Sequence, residues 1–176
     1  MKKRIIMITG DLNSGKTRLM YAICSILDLE GFSIGGMIQV PTLPGEAKTT
    51  YSLSDQLTGI SNTILDEESK EDAQKIGKYY IHQDSFDWAN TQIRKAFSTA
   101  NYLIFDEIGM LEIEQGGFYP SFIDALNTYK GTIIMIVRTP FVEEVYSAFS
   151  LNRNEVLSLS STLSSNEAYN EVLNNE

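Results

Sequence analysis

A chain of 176 residues with 43% apolar and 21% charged side chains suits one domain around one substantial core. Its net charge of −9 and five scattered arginines argue against a nucleic-acid or anionic-membrane partner, either of which asks for a basic face. A single cysteine, Cys24, and a single histidine, His82, exclude an internal disulfide, a thiolate metal cluster and a multi-histidine zinc site.

The start, Met1-Lys2-Lys3-Arg4, has the charge of a secretory leader, but the apolar run Ile5 to Ile8 is far too short for its hydrophobic region. No stretch approaches the length that crosses a bilayer, and the expected location is the cytoplasm. Ile5 to Ile8 instead has the pattern of a strand buried on both faces. A Gly-rich loop follows from Gly10 to Gly15. Leu19, Met20, Ile23, Ile26 and Leu27 then recur at helical spacing, with Gly31 placed as a C-terminal cap. Ile34 to Val40 reads as a second strand, stopped by Pro41 and Pro44.

Residues 41–78 form a variable, insertion-like segment in this reading. Tyr51 to Ser54 alternates as an exposed strand does, Asp55 to Gly59 suits a turn, and Ile60 to Leu65 a partner strand. Asp66 to Asp72 is a charge run that fits a solvated face or short helix. Tyr79 to Ile81 is a short strand. A helix capped near Asp84 or Ser85 follows, with Phe86, Ala89, Ile93, Ala96, Phe97 and Ala100 as its buried stripe.

Tyr102 to Phe105 is another doubly buried strand. Phe118, Phe122, Ala125, Leu126 and Tyr129 mark a helix closed by Gly131, and Thr132 to Val137 is a central strand. Pro140 suits the opening of a helix through Phe149. Val156 to Leu159 is a last strand, and Ser164 with Glu167 has capping-box spacing for a terminal helix. Apolar strands alternating with helices predict a doubly wound, mainly parallel α/β sheet. Such sheets bind ligands at the carboxyl ends of their strands.

The two strongest motifs fall at those ends. Gly10-Asp11-Leu12-Asn13-Ser14-Gly15-Lys16-Thr17 matches the GxxxxGK[ST] phosphate loop without a gap. It follows a buried strand and opens an amphipathic helix, as that motif requires. Its glycines let successive N–H groups turn inward as an anion nest, and the helix adds its positive end. Lys16 is placed to neutralise β- and γ-phosphate charge, and the Thr17 hydroxyl to ligate Mg²⁺. An ordinary Gly-rich turn leaves Lys16 unexplained at a helix N-terminus, where a cation alone is unfavourable. Asp11 has two open readings: a carboxylate that lowers phosphate affinity, or one that supports the metal shell.

Asp106-Glu107 ends the strand Tyr102 to Phe105, the Walker B arrangement. Asp106 then holds the metal, and Glu107 polarises an attacking water as general base. The alternative is two exposed acids at a strand end. Asp106-Glu107-Ile108-Gly109 also fits the DxxG of switch GTPases, but the Asn-Lys-x-Asp guanine reader of that class is missing. Other candidates carry a second, structural reading. Arg138 either senses the γ-phosphate or is a surface side chain, and Arg18 either touches phosphate or faces solvent. Lys78 and Tyr79 either border the nucleotide or pack locally. Glu112 is a candidate buttress of the metal site. His82 reads as a plain surface or packed residue, and Trp88 as packing or an exposed contact rather than a base-stacking platform.

Ile5 to Leu19, Ile76 to Tyr79, Tyr102 to Glu112 and the chain from Phe118 onward resemble the small P-loop nucleoside-triphosphatases of archaea, bacteria and animals, the family that includes the human cancer-related nucleoside-triphosphatase. The carrying segments are Asp106-Glu107-Ile108-Gly109-Met110-Leu111-Glu112, with Leu111 where the family has Met, and Gly77-Lys78-Tyr79. The resemblance implies a single RecA-like, additional-strand P-loop domain over residues 1–176. It also implies slow hydrolysis of ATP, GTP and other triphosphates to diphosphate and phosphate. Carried over by position, Gly10 to Thr17 bind phosphates, and Asp106 and Glu107 serve metal and water. The chain departs from the family at Asp11-Leu12-Asn13, where Pro-Gly is usual. It also has Val137-Arg138, where a histidine precedes the arginine, and lacks a late Asn-Arg element near Ser164 to Glu167.

Two other functions fit a phosphate loop: a small-molecule kinase and a non-enzymatic, nucleotide-dependent binding module. A kinase needs an acceptor pocket and usually an arginine-bearing lid, and residues 41–78 contain no arginine. The intact Glu107 favours hydrolysis over the module. The sequence names neither a preferred base nor a protein partner.

Overall fold

Strands that are apolar at every position need cover on both faces. The computed structural model describes residues 4–40, 50–67 and 75–174. Its strands are β1 (Arg4–Gly10), β2 (Ile34–Gln39), β3 (Thr50–Asp55), β4 (Ser61–Asp66), β5 (Lys75–Ile76), β6 (Tyr79–Ile81), β7 (Tyr102–Phe105), β8 (Thr132–Arg138) and β9 (Val156–Ser160). Its helices are α1 (Lys16–Leu29), α2 (Gln83–Ala96), α3 (Met110–Ile113), α4 (Tyr119–Thr128), α5 (Val142–Ala148) and α6 (Ser165–Asn174).

All these strands join one sheet in the order β5-β6-β4-β3-β2-β7-β8-β1-β9. From β2 to β9 every neighbour is parallel. From β2 outward, β3, β4, β6 and β5 pair antiparallel. The part of residues 41–78 that is described therefore extends the main sheet as an antiparallel arm. Strand β8 lies between β1 and β7, so the phosphate-loop strand and the strand ending at Asp106 are not neighbours. That inserted strand is the mark of the additional-strand P-loop fold.

Alternation along the central strands divides the core in two. Met7, Leu103, Phe105, Ile133, Met135 and Val137 face a cluster with Phe86, Phe118 and Phe122 from the α2 and α4 side. Ile6, Ile8, Tyr102, Ile104, Ile134 and Ile136 face the other way, onto Leu19, Met20 and Ile23 of α1 and Ala168 and Val172 of α6. Phe122 sits 5.0 Å from Phe105 and 4.9 Å from Phe149 between ring centroids, both edge-on. Burying each such ring stabilises the fold by roughly 1.5–3 kcal/mol.

Two local expectations need correction. Helix α2 starts at Gln83 with His82 as its cap residue and no side-chain cap, one turn before Ser85 would allow. Pro140 opens a 3₁₀ turn, Thr139–Phe141, and the α-helix begins only at Val142. The short helix α3 carries too little periodicity to be read from sequence. The terminal capping box forms: Glu167 Oε2 accepts from Ser164 N at 2.9 Å, and Ser164 Oγ from Glu167 N at 3.3 Å. Met1 to Lys3, Pro41, Pro44 and most of the charge run from Asp66 to Asp72 lie outside the described residues. Among the described residues no helix is long and apolar enough to cross a membrane.

Candidate active site

The carboxyl ends of β1, β8, β7 and β2 make one edge, and the two sequence motifs meet there. Strand β1 delivers Gly10, the loop turns back over residues 11–15, and α1 begins at Lys16 after Gly15. No side chain caps α1, so the donors of its first turn are directed at the loop's concavity, an anion-binding arrangement. Lys16 is buried and its Nζ donates to the Asp11 carbonyl at 2.6 Å. Burial pulls its ammonium below the ordinary lysine range, while Glu107 and Asp106 push it back up and Arg138 pulls it down. The Asp11, Leu12, Asn13 and Ser14 side chains are exposed, so Asp11 contributes its carbonyl inward and its carboxylate outward.

Asp106 leaves β7 buried, at 3% exposure. Its Oδ2 accepts from the Gln39 backbone N–H at 3.1 Å, and the Thr17 side chain hydrogen-bonds the same carboxylate. Burial raises its pKa to about 6 against those two bonds. Oδ1 is buried without a hydrogen-bond partner. A carboxylate with one tethered and one open oxygen, beside a threonine hydroxyl, fits a hard divalent cation. No group of three or more His, Cys, Asp or Glu side chains able to hold a metal exists among the described residues. Magnesium suits this sparse donor set, since it binds through one or two protein groups plus phosphate oxygens and water.

Glu107 follows, and the chain turns back at once. Ile108 is fully buried and its N–H donates to the Ile136 carbonyl at 2.8 Å, which pins the turn to β8. Glu107 is thus held at the tip of the edge, where its Oε1 lies 2.7 Å from Arg138 Nε. Arg138 ends β8 and is paired in register with Gly10 of β1.

Glu112 braces this turn from below. It is 3% exposed, and its Oε2 and Oε1 accept from Gly109 N at 2.9 Å and Phe118 N at 3.0 Å. Burial raises its pKa to about 7, against those backbone bonds. The bonds tie both ends of the segment 109–118 to one carboxylate. Gly117 makes the fit possible: it has φ +56°, and a Cβ there would lie 2.2 Å from Glu112 Oε1.

With this geometry in place, a family model described as NTPase matches residues 5–168. This chain belongs to the NTPase family.

Two curated relatives of this NTPase are both named nucleoside-triphosphatase THEP1. The protein of Thermofilum pendens is 26% identical over 137 residues, 77% of this chain and 75% of the relative. That of Thermococcus kodakarensis is 27% identical over 158 residues, covering 85% and 87%. Among solved structures, a human cancer-related nucleoside triphosphatase superposes with a TM-score of 0.75 at 19% identity, over 97% of this chain and 96% of its own. THEP1 from Aquifex aeolicus gives 0.70 at 17%, over 96% and 95%. These likenesses show a shared fold.

Within this NTPase, the remaining candidates separate cleanly. Arg18 is exposed on the first turn of α1. Lys78 and Tyr79 stand at the antiparallel end of the sheet, six strand positions from β1, so they do not border this site. Lys78 instead pairs with Glu67 and covers the Tyr79 ring at 5.0 Å. His82 Nε2 meets Asp66 Oδ2 at 2.7 Å on the same arm. Trp88 packs against the larger core. One contact had no sequence signal: Ser161, after β9, donates its hydroxyl to Ser14 Oγ at 2.9 Å and its N–H to the Thr9 carbonyl at 2.8 Å.

Proposed function

We propose that this NTPase cleaves the β–γ phosphoanhydride of nucleoside triphosphates, giving diphosphate and phosphate, with magnesium. The convergence of Lys16, Asp106 and Glu107 on one sheet edge carries this reading: all three influence one another electrostatically across a separation that β8 bridges. A ligand that needs a cation, a metal-holding carboxylate and a base in one place is a metal-bound triphosphate.

In this mechanism the N–H groups from Gly10 to Thr17 cradle the phosphates. The Lys16 ammonium leaves the Asp11 carbonyl for the β- and γ-oxygens. Thr17 and the open oxygen of Asp106 would hold a divalent cation, which would supply positive charge to the phosphate oxygens. Glu107 accepts a hydrogen bond from water and orients it in line with the γ-phosphorus. The water oxygen bonds to the γ-phosphorus as the β–γ anhydride bond breaks, that bond's electron pair leaves on the diphosphate, and the water's proton passes by way of Glu107 to the released phosphate.

The net charge of −9 supports a substrate other than nucleic acid, and the cytoplasm is the compartment in this proposal. ATP, GTP and other triphosphates should each release phosphate when incubated with the protein and magnesium, and a chelator should stop it. Release that requires an added phosphate acceptor would assign a kinase instead, and binding without release a nucleotide-dependent module.

A further inference from the structure

Helix α2 buries one face through Phe86, Ala89, Ile93 and Ala96, and Asn90 lies among them at 4% exposure. A carboxamide buried this deeply must find partners for two N–H donors and a carbonyl. Asn90 finds them all. Its Nδ2 donates to the Phe86 carbonyl one turn back at 2.9 Å and to the Gly117 carbonyl at 2.8 Å, and its Oδ1 accepts from the Ser121 N–H at 3.1 Å. The last bond serves the opening of α4. The first N–H groups of a helix have no partner within it, and the cap residue of α4, Phe118, brings no side-chain acceptor. Pro120 has no N–H to satisfy. Ser121 N is taken by Asn90, and Phe118 N by Glu112 Oε1 at 3.0 Å.

Asn90 and Glu112 thus hold one short stretch, residues 117–121, and Glu112 also holds Gly109 N through its Oε2 at 2.9 Å. Gly117 is where the two meet. Its carbonyl is bonded to Asn90, and its φ of +56° admits Glu112 Oε1 so closely that a Cβ would lie 2.2 Å away. Gly109 in turn lies beside the base: a Cβ built on it would be 3.6 Å from Glu107 Oε1, an ordinary contact distance. A run of contacts therefore leads from Asn90 through Gly117, Glu112 and Gly109 to the Glu107 carboxylate.

We infer that Asn90 is a positioning residue for Glu107: its amide fixes the segment against which the base rests, so that the carboxylate is aimed before water arrives. This rests on the hydrolase reading of the same site. A reacting group misplaced by about 1 Å slows a reaction by roughly hundredfold, so a brace far from the phosphates acts strongly on rate. Its effect on nucleotide binding should be small, because the phosphate loop follows β1 and the acidic turn follows β7, with β8 between them. A carboxamide meets the demand at this position. An ionised carboxylate of the same shape does not, since it sets acceptor oxygens against the Phe86 and Gly117 carbonyls.

Asn90→Asp therefore exchanges donors for acceptors with almost no change of shape. The measurements are single-turnover phosphate release from magnesium ATP and calorimetric affinity for the β,γ-imido analogue of ATP with magnesium. They are made on wild type, Asn90→Asp, Glu107→Gln and the double variant, each checked for folding by circular dichroism. Asn90→Asp is expected to slow release about tenfold to hundredfold while analogue affinity stays within about twofold of wild type. In the Glu107→Gln background the same change should slow release by less than about twofold, because a brace that acts through the carboxylate then has nothing to aim. A merely structural role would slow both backgrounds alike. Gly117→Ala pushes Glu112 directly and should give the same pattern, so it carries the test if Asn90→Asp does not fold.

Unchanged release in Asn90→Asp, equal slowing in both backgrounds, or analogue affinity lost along with the rate in a folded variant would each overturn the inference. A wild type that binds the analogue but releases no phosphate would remove the hydrolase reading and the inference with it. Release that depends on Glu107 but not on Asn90 or Gly117 would remove the inference alone.

Discussion

The Ser161 hydroxyl occupies the space that a side chain on Gly10 would need. A Cβ on Gly10 would lie 2.2 Å from Ser161 Oγ and 2.4 Å from Ser14 Oγ. The turn after β9 is thereby packed onto the outer flank of the phosphate loop, and glycine is required there for close approach. Gly10→Ala should cost about 1–3 kcal/mol, the usual range for overpacking a tight contact. Adding Ser161→Gly should recover part of that loss. Denaturant unfolding of the two variants and their combination measures it, and strictly additive losses would mean the two residues do not share the space.

Lys16→Ala should abolish measurable triphosphate binding. The ammonium is buried and already directed at the loop's concavity, where its hydrogen bond to Asp11 shows the reach. Calorimetry with the imido analogue reads this directly, and retained affinity would remove Lys16 from the site.

Glu112 carries a pH signature. Its folded pKa of about 7 is raised above the ordinary glutamate value of 4.5, chiefly by burial. A raised carboxyl pKa means the folded protein holds a proton that the unfolded chain has released, so this group's contribution is fully present below about pH 4.5 and is lost as pH rises through about 7. Each pH unit in that window is worth about 1.4 kcal/mol. Glu112→Gln cannot titrate. Relative to wild type it should therefore gain stability between pH 5 and pH 8, whatever its offset at either end. Chemical unfolding at the two pH values checks the sign.

Cys24 should be silent until the protein unfolds. It is 5% exposed on the inner face of α1, and burial pushes its thiol pKa up to about 12, so almost no thiolate exists near neutrality. A disulfide reagent at pH 8 should label it only in denaturant. Rapid labelling of the native protein would show that α1 opens far more readily than its packing implies.

The parts of the site that sequence reveals are those built from contiguous residues. The loop from Gly10 to Thr17 has a fixed spacing because one turn of backbone must wrap one phosphate, and the strand before Asp106 is apolar throughout because both its faces are covered. Strand order was beyond reach, since it is decided by pairings between distant segments. The insertion of β8 between β1 and β7, and the extension of the same sheet by β3, β4, β6 and β5, follow from no local pattern. Resemblance also misleads: Gly77-Lys78-Tyr79 is one of the segments that carry it, yet the antiparallel arm takes Lys78 and Tyr79 to the sheet's far side. Glu112 was legible only as an acid near an acidic turn. Its two backbone bonds depend on the α3 turn and on Gly117, which a four-residue helix does not announce. Arg138 was legible as a strand-end cation, while its partner Glu107 became visible only once β7 and β8 were placed side by side.

The central claim is that Glu107 activates water against a triphosphate held by the Lys16 loop, and single-turnover phosphate release from magnesium ATP tests it most directly. With protein in excess and binding confirmed by calorimetry, Glu107→Gln should still take up ATP but release phosphate on the order of 10²-fold or more slowly than wild type. Equal release by the variant at equal occupancy would contradict the account.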